Sequence, residues 1–176
     1  MAQSGTHMKR ICLHGPESTG KSTLGTRLAA IYGCEVVPEY GRAYCEANGT
    51  DIDMGALVHI AKMQDAMNDA AAARDGKLVL FDTDPLITAV WAEMMFGTRA
   101  AWFGGFTGYA DLYLLLDIDL PFVDDGLRVY SSAADRAHFF ELCKAELDNR
   151  GVRYALVRGV GEARLRTALD AIAAPC

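Results

Sequence analysis

The stretch Gly15-Pro16-Glu17-Ser18-Thr19-Gly20-Lys21-Ser22 matches G-x-x-x-x-G-K-[ST], the pattern of a phosphate-binding loop. Successive backbone N–H groups of such a loop wrap a polyphosphate, and its glycines let the backbone come close to the ligand. Lys21 is expected to reach the β- and γ-phosphates and the Ser22 hydroxyl to bind Mg²⁺, while the following helix offers its positive end to the anion. The pattern predicts that the chain binds a nucleoside triphosphate.

The residues on either side of this loop supply the context that the motif requires. Residues 9–14 are a short apolar run, which predicts a strand leading into the loop. After the loop, Leu24, Leu28 and Ile31 fall on one face of a helix over residues 22–31. Strand, loop and helix in this order favour a phosphate site over a glycine-rich turn that fits the pattern by chance.

Length and composition indicate an ordinary globular chain. With 176 residues, 51% of them hydrophobic and 23% charged, it is long enough for one good core and too short for two comfortable domains. We therefore expect a single domain over residues 8–176. Residues 1–7 have neither the basic nor the apolar region of a secretion signal, and they are interpreted as an expression-tag remnant that ends before Met8.

Charge and cysteine content exclude several classes of partner. A net charge of −6 disfavours a nucleic-acid surface, which needs clustered cations, and no apolar run approaches the length of a membrane span. The five cysteines are odd in number and lack C-x-x-C spacing, as in reduced thiols of a cytoplasmic protein. The four scattered histidines disfavour a zinc site, and His14 is interpreted as a packed rather than a catalytic residue. The oligomeric state stays open.

The order of elements predicts a doubly wound α/β fold with a five-stranded, mainly parallel sheet. Continuous rather than alternating apolarity suits strands that are covered on both faces. After the first strand, the predicted strands are residues 34–37, 77–81, 112–116 and 153–157. After the first helix, the predicted helices are about 55–74, 85–96, 135–150 and 161–173. Residues 97–109 and 119–134 are predicted to be irregular.

Three polar residues lie just past the carboxyl ends of predicted strands, as the phosphate-binding loop does. Glu39, Asp82 and Arg158 should therefore meet that loop at the carboxyl edge of the sheet, where ligands of such folds bind. Asp82 ends an apolar strand and is predicted to hold the water shell of Mg²⁺ opposite Ser22. Glu39 is predicted to accept or orient an acceptor hydroxyl, the alternative being a surface glutamate paired with a nearby cation.

Asp84 and Gln64 each allow two interpretations. Asp84 precedes Pro85, so it is a helix N-cap, a substrate contact or both. Gln64 lies on the apolar stripe of its helix and needs a buried partner, either a substrate group or a backbone group.

Aromatic residues and arginines complete the predicted site. Tyr40 and Trp91, together with Tyr44 and Trp102, could build a pocket for a planar ring, although Trp91 also suits a helix core. Residues of about 120–137 are predicted to form a lid that carries Arg128 and Arg136 over the phosphates; the alternative is a solvated loop with ordinary surface charge.

Taken in order, these motifs resemble the ribosylnicotinamide kinase domain of bacterial NadR-type proteins, within a broader set of small P-loop ATPases. The motifs that carry the resemblance are residues 15–23, 37–42, 81–84, 111–115 and 121–128. The chain departs from the family pattern at Phe122, where tryptophan is common, and at Gly41, where alanine is usual. The sequence lacks the adenylyltransferase and helix-turn-helix domains of full NadR proteins, so we expect a separate enzyme to use the product.

The resemblance implies ATP-dependent phosphorylation of the 5′-hydroxyl of nicotinamide riboside, with ATP and Mg²⁺ as cofactors. Another nucleoside or small metabolite as the acceptor and a regulatory ATPase remain alternatives. The predicted catalytic residues are Lys21, Glu39, Asp82, Arg128 and Arg136, and the predicted metal ligands are Ser22 and Asp82. The predicted ATP-binding residues are Gly15, Glu17, Ser18, Thr19, Gly20, Lys21, Ser22, Thr23 and Arg158. The predicted substrate-binding residues are Glu39, Tyr40, Arg42, Gln64, Asp84 and Trp91.

Overall fold

The computed structural model describes residues 8–123, 130 and 132–175, and these residues form a five-stranded sheet with helices on both faces. The strands are β1 (Lys9–His14), β2 (Val36–Val37), β3 (Leu78–Phe81), β4 (Leu112–Leu116) and β5 (Tyr154–Val157). The helices are α1 (Lys21–Tyr32), α2 (Tyr40–Asn48), α3 (Met54–Ala72), α4 (Pro85–Phe96), α5 (Ala101–Gly105), α6 (Ala133–Arg150) and α7 (Glu162–Ala173). The predicted α/β class is confirmed.

All strand pairs in this sheet are parallel, and the strand order is β2-β3-β1-β4-β5. The chain therefore moves from β1 to one side of the sheet for β2 and β3, and to the other side for β4 and β5. The reversal places a crevice at the carboxyl end of β1, which is where ligands bind in open α/β sheets. The phosphate-binding loop occupies this position.

The core has two layers because alternate strand residues point to opposite faces of the sheet. Ile11 and Leu13 pack with α1 and α7, whereas Cys12 between them packs with α4 and α6 on the other face. All five residues of β4 are buried, which explains its uninterrupted apolar sequence. In the part of the chain that the structure describes, no helix combines the length and apolarity needed to span a membrane.

Two helices were not predicted from the sequence. The helix α2 has no fully buried residue, but its apolar residues Tyr40, Ala43, Tyr44 and Ala47 recur at helical spacing, which was the available signal. The helix α5 has only five residues and falls within the segment 97–109 that was expected to be irregular. The first of these helices matters for function because it begins directly after Glu39.

Candidate active site

The phosphate-binding loop leaves β1 and enters α1 in a conformation that depends on glycine. Gly15 has a φ of +132°, and a Cβ placed there would lie 2.8 Å from the main-chain oxygen of Leu116. Gly20 precedes α1 with a φ of +80°. The ammonium of Lys21 donates to the main-chain oxygens of Gly15 at 2.8 Å and Pro16 at 2.7 Å. The lysine therefore lies across the mouth of its own loop, where the motif places phosphates.

Ser22 and Asp82 form a pair at the edge of this loop. The hydroxyl of Ser22 donates to Oδ2 of Asp82 at 2.9 Å, although the two residues come from different elements. The second oxygen, Oδ1, is buried and has no hydrogen-bond partner among the described residues. Mg²⁺ usually takes one or two protein oxygens and completes its shell with phosphates and water, so this pair fits that ion. Within the described ranges, no cluster of three or more His, Cys, Asp or Glu side chains could hold a metal ion.

Two pockets adjoin at the carboxyl edge of the sheet. The first, the phosphate pocket, is formed around the loop by Gly15 and by residues 17–23. The second, the apolar pocket, has a volume of about 810 Å³ including its open mouth. Beyond the residues common to both, the apolar pocket is lined by Gly41, Cys45, Thr50, Ile52, Leu57, Ile60, Gln64, Thr88 and Met95. The residues that line both pockets are Glu17, Glu39, Arg42, Thr83, Ile87 and Trp91.

The shared wall carries two carboxylates and one guanidinium. Glu39 is the N-cap residue of α2, and Arg42 lies in the first turn of the same helix. Glu17 comes from the phosphate-binding loop and faces both pockets. A carboxylate at the boundary between a phosphate pocket and a second pocket can accept a proton from a hydroxyl that approaches the phosphate. The role predicted for Glu39 stays a prediction.

Asp84 directly follows Thr83 of this wall and is buried. Its side chain is only 2% exposed, and both of its oxygens have protein partners. Oδ1 accepts from the backbone N–H of Leu86 at 3.0 Å, which caps α4, and Oδ2 accepts from the hydroxyl of Tyr113 at 2.5 Å. Burial raises the pKa of Asp84 to about 6, although both hydrogen bonds oppose the shift. The N-cap interpretation is therefore the one that the contacts support.

Gln64 also uses its polar atoms within the protein. Its oxygen accepts from the backbone N–H of Tyr40 at 2.7 Å, and its nitrogen donates to the main-chain oxygen of Pro38 at 3.2 Å. Of the two partners considered from the sequence, the structure shows the backbone group. Gln64 still forms part of the apolar pocket wall.

Of the aromatic residues predicted to surround a planar ring, Trp91 lines both pockets. Its ring centroid lies 4.9 Å from that of Phe139 and 5.6 Å from that of Tyr130. The ring of Tyr40 instead packs on Tyr44 and His59, outside the pocket wall, so the expectation of a pocket built by Tyr40 and Tyr44 is corrected. Trp102 packs on Phe103 and Phe106 and likewise belongs to a neighbouring cluster.

His14 is a packed residue, as its sequence context indicated. It is fully buried at the end of β1, and its ring meets the ring of Tyr113 edge-on with centroids 5.8 Å apart. Burial and, second, the positive charge of Lys21 lower its pKa to about 3. The imidazole of His14 is therefore neutral at physiological pH and adds no positive charge beside Lys21.

Two arginines after β5 take different places. Arg158, predicted to bind ATP, has a side chain that is 68% exposed and donates to Asp117 at 2.7 Å. Arg164 was not predicted, yet it is 4% exposed and contacts the main-chain oxygen of Thr19 and the carboxylate of Asp119. Its position four residues before the buried Ala168 placed it on the inward face of α7, which was the available signal.

The predicted lid is described only in part. Arg128 lies outside the described residues, as do residues 124–129 as a whole. Arg136 is in the first turn of α6, donates to the main-chain oxygen of Leu120 at 3.0 Å and lies 5.8 Å from the ring centroid of Phe122. The N–H of Val123 donates to the hydroxyl of Ser18 at 2.7 Å, so the start of this segment contacts the phosphate-binding loop. Closure over phosphates stays a prediction.

Comparison with known proteins agrees with this architecture. A family model described as "AAA domain" matches residues 10–164. The chain is 28% identical over 162 residues to the "Trifunctional NAD biosynthesis/regulator protein NadR" of Salmonella typhimurium, which covers 86% of this chain and 38% of that protein. The chain thus spans less than half the length of this relative.

Two solved structures share the fold. A crystal structure of NadR protein in complex with NR superposes with a TM-score of 0.79 at 24% identity, covering 94% of this chain and 51% of that one. A deoxyadenosine kinase from M. mycoides superposes with a TM-score of 0.68 at 10% identity, covering 93% of this chain and 98% of that one. At these identities the likeness concerns the arrangement of helices and strands alone.

Proposed function

We propose that this chain, which belongs to the AAA domain family, is a P-loop kinase. It phosphorylates the 5′-hydroxyl of nicotinamide riboside with ATP, giving nicotinamide mononucleotide. The coarser class, a nucleoside-kinase-like P-loop enzyme, is supported by the similarity to NadR and by the fold shared with a deoxyadenosine kinase. The choice of acceptor is supported by the likeness to a NadR structure that contains NR. The observation that carries the proposal is the wall common to the two pockets.

This wall gives each substrate a place. The polyphosphate of ATP occupies the phosphate pocket under Lys21, and the nucleoside occupies the apolar pocket with its hydroxyl beside Glu39. Transfer passes through a loose transition state, so catalysis depends mainly on in-line positioning and charge stabilisation. Glu39 accepts the hydroxyl proton, while Lys21 and Arg42 balance the charge on the transferring group. When bound at Ser22 and Asp82, Mg²⁺ adds charge neutralisation between the phosphates.

The charges of the apolar pocket favour a nucleoside over a nucleotide. Among the described residues that line it, Arg42 is the single cation, and it stands beside Glu17 and Glu39. A phosphate group on the acceptor would face two carboxylates with one counter-charge. An acceptor without a phosphate avoids this repulsion.

The test is a kinase assay with Mg-ATP and a panel of nucleosides and nucleotides, with the phosphorylated product identified by mass. We expect nicotinamide riboside to be the preferred acceptor and nicotinamide mononucleotide to be inert as an acceptor. Preference for another nucleoside would overturn the assigned substrate. ATP turnover that no acceptor increases would instead indicate a regulatory ATPase.

A further inference from the structure

Two amide side chains of α3 connect the turn after β2 with the turn after β3. Gln64 and Asn68 are one helical turn apart, so both point toward the sheet, and they are 1% and 5% exposed. Buried amides at adjacent inward positions of a helix need defined partners. Here the two amides bond to each other, and their other partners belong to the turns that carry Glu39 and Asp82.

The hydrogen bonds form one continuous chain. Tyr40 N–H donates to Gln64 Oε1 at 2.7 Å, and Gln64 Nε2 donates to Pro38 O at 3.2 Å, so Gln64 holds the residues on both sides of Glu39. Gln64 Nε2 also donates to Asn68 Oδ1 at 3.1 Å. Asn68 Nδ2 then donates to the main-chain oxygen of Thr83 at 3.1 Å. Thr83 is the residue next to Asp82.

The direction of this chain is unique. The backbone N–H of Tyr40 is a donor, so it must face the oxygen of Gln64, which turns the nitrogen of Gln64 toward Pro38 and Asn68. Asn68 must then accept with its oxygen and donate with its nitrogen. Both N–H groups of Gln64 are thereby used, and neither amide can flip without opposing like groups. The connection is therefore stiff.

We propose that Gln64 and Asn68 are positioning residues that hold Glu39 at a fixed separation from the metal-binding carboxylate of Asp82. The inference rests on the proposed kinase function. Phosphoryl transfer requires the acceptor hydroxyl to be in line with a phosphate whose place is set by the loop and the metal. Glu39 orients the hydroxyl and Asp82 orients the metal, so their relative position sets the reaction geometry. Neither amide needs to touch the reacting atoms for this role.

The primary variant is Gln64→Met, which keeps the volume of the side chain and removes all three hydrogen bonds. We expect kcat to fall by about one to two orders of magnitude, the usual scale for a displaced reacting group. The Kd for Mg-ATP and the KM for the acceptor should stay within about twofold, because methionine matches the volume of Gln64 in the wall of the apolar pocket. A rise in acceptor KM with unchanged kcat would overturn the proposal, since it would make Gln64 a substrate contact.

Double variants separate positioning from general loss of structure. Asn68→Leu cuts the same chain at its other end, so Gln64→Met with Asn68→Leu should be no slower than the slower single variant. In a Glu39→Gln background, Gln64→Met should lower kcat by less than about threefold, because the group it positions has lost its function. Fully multiplicative effects in both combinations would contradict the inference.

A matched control removes a different, partly buried side-chain contact at the amino end of β1, away from the carboxyl ends of the strands where the site lies. Lys9→Met loses the bond from Lys9 Nζ to the main-chain oxygen of Ile172 at 2.6 Å, and it should lower the melting temperature while leaving kcat unchanged. If Gln64→Met does not fold, Asn68→Leu alone provides the test: it keeps the bonds of Gln64 to Tyr40 and Pro38 and loses the two bonds of Asn68, so a smaller fall in kcat is expected. A wild-type protein without transfer activity would refute the proposed function. An active wild type whose double variants show multiplicative losses of kcat would refute only this inference.

Discussion

At the scale of single residues, the position of Glu39 on the shared wall makes it the group whose chemistry can be tested most directly. Glu39→Gln keeps the shape of the side chain and removes the carboxylate that we propose as the proton acceptor, so we expect transfer to fall by about two orders of magnitude or more while Mg-ATP binding survives. Steady-state kinetics with an ATP-binding titration measures both. Glu35→Gln is the control, because Glu35 pairs with the exposed Arg74 away from the pockets and should change neither. Near-normal transfer by Glu39→Gln would remove Glu39 from the mechanism.

Asp84 links the stability of the fold to pH. Its pKa is raised from 3.8 to about 6 by burial, so the folded state favours the protonated acid. The contribution to the unfolding free energy is therefore fully present below pH 3.8 and is lost as pH rises through about 6. Asp84→Asn mimics the protonated acid and keeps the cap. We expect the stability of wild type relative to this variant to fall by about 2 kcal/mol between pH 4 and pH 7.

Urea unfolding of both proteins across this pH range provides the measurement, and the other carboxyl groups cancel in the difference. Tyr113→Phe serves as a second variant, because removing its hydrogen bond to Asp84 should move the loss of stability to higher pH. If the stability of wild type relative to Asp84→Asn instead rose with pH, the raised pKa assigned to Asp84 would be wrong.

At the scale of secondary-structure elements, α2 has a glycine in its first turn where an alanine should fit. A Cβ on Gly41 would lie 3.4 Å from Cγ2 of Ile60 and 3.7 Å from Oε1 of Glu39, which is ordinary contact. Gly41→Ala should raise the unfolding free energy by about 0.5–1 kcal/mol and leave transfer unchanged, because alanine favours the helix. Gly15→Ala is the opposite case, since its Cβ would meet the oxygen of Leu116 at 2.8 Å, and it should lose ATP binding. Reduced transfer by Gly41→Ala would mean that the added methyl group obstructs the apolar pocket, which Gly41 lines.

The elements that the sequence predicted are those whose apolar pattern reports their burial. The buried runs of β1 and β4 were predicted with the observed boundaries, and β3 and β5 to within one residue. Helix α2 has no fully buried residue, and the helical spacing of its apolar residues is the signal that could have predicted it. The cap at Asp84 was visible from Asp-Pro, whereas its bond to Tyr113 depends on a strand far along the chain.

At the scale of the whole molecule, Arg164 joins three parts of the sheet edge. It contacts the main-chain oxygen of Thr19 in the phosphate-binding loop, the carboxylate of Asp119 after β4 and the main-chain oxygen of Gly159 after β5. Arg164→Met removes the buried guanidinium and leaves the buried main-chain oxygen of Thr19 without this donor, so we expect a loss of about 3 kcal/mol in unfolding free energy. We also expect the Kd for Mg-ATP to rise about tenfold or more, with a smaller effect on acceptor KM.

Urea unfolding and an ATP titration of the same samples test this prediction. The matched control is Arg74→Met, which breaks an exposed pair with Glu35 and should cost no more than about 1 kcal/mol. Equal losses in the two variants would mean that Arg164 does not support the phosphate-binding loop.

The sequence predicted where the site lies better than it predicted which side chains form the site. Parallel strands end at one edge, so the order of the motifs was enough to bring Glu39 and Asp82 to the phosphate-binding loop. The amide chain through Asn68, the inward place of Arg164 and the outward place of Tyr40 depend on how helices pack across the sheet. Motif spacing carries no information about such contacts.

The central place of β1 has a consequence for biosynthesis. Although β1 comes first in the chain, Ile11 pairs with Leu80 on one side and with Leu112 on the other. A nascent chain therefore exposes the complete phosphate-binding sequence long before either neighbouring strand has left the ribosome. The backbone oxygen that closes against Gly15 belongs to Leu116, so the nucleotide site can form only after β4 has been synthesised. A nucleotide can therefore stabilise this domain only once β4 has emerged, and it leaves the earlier nascent segments unaffected.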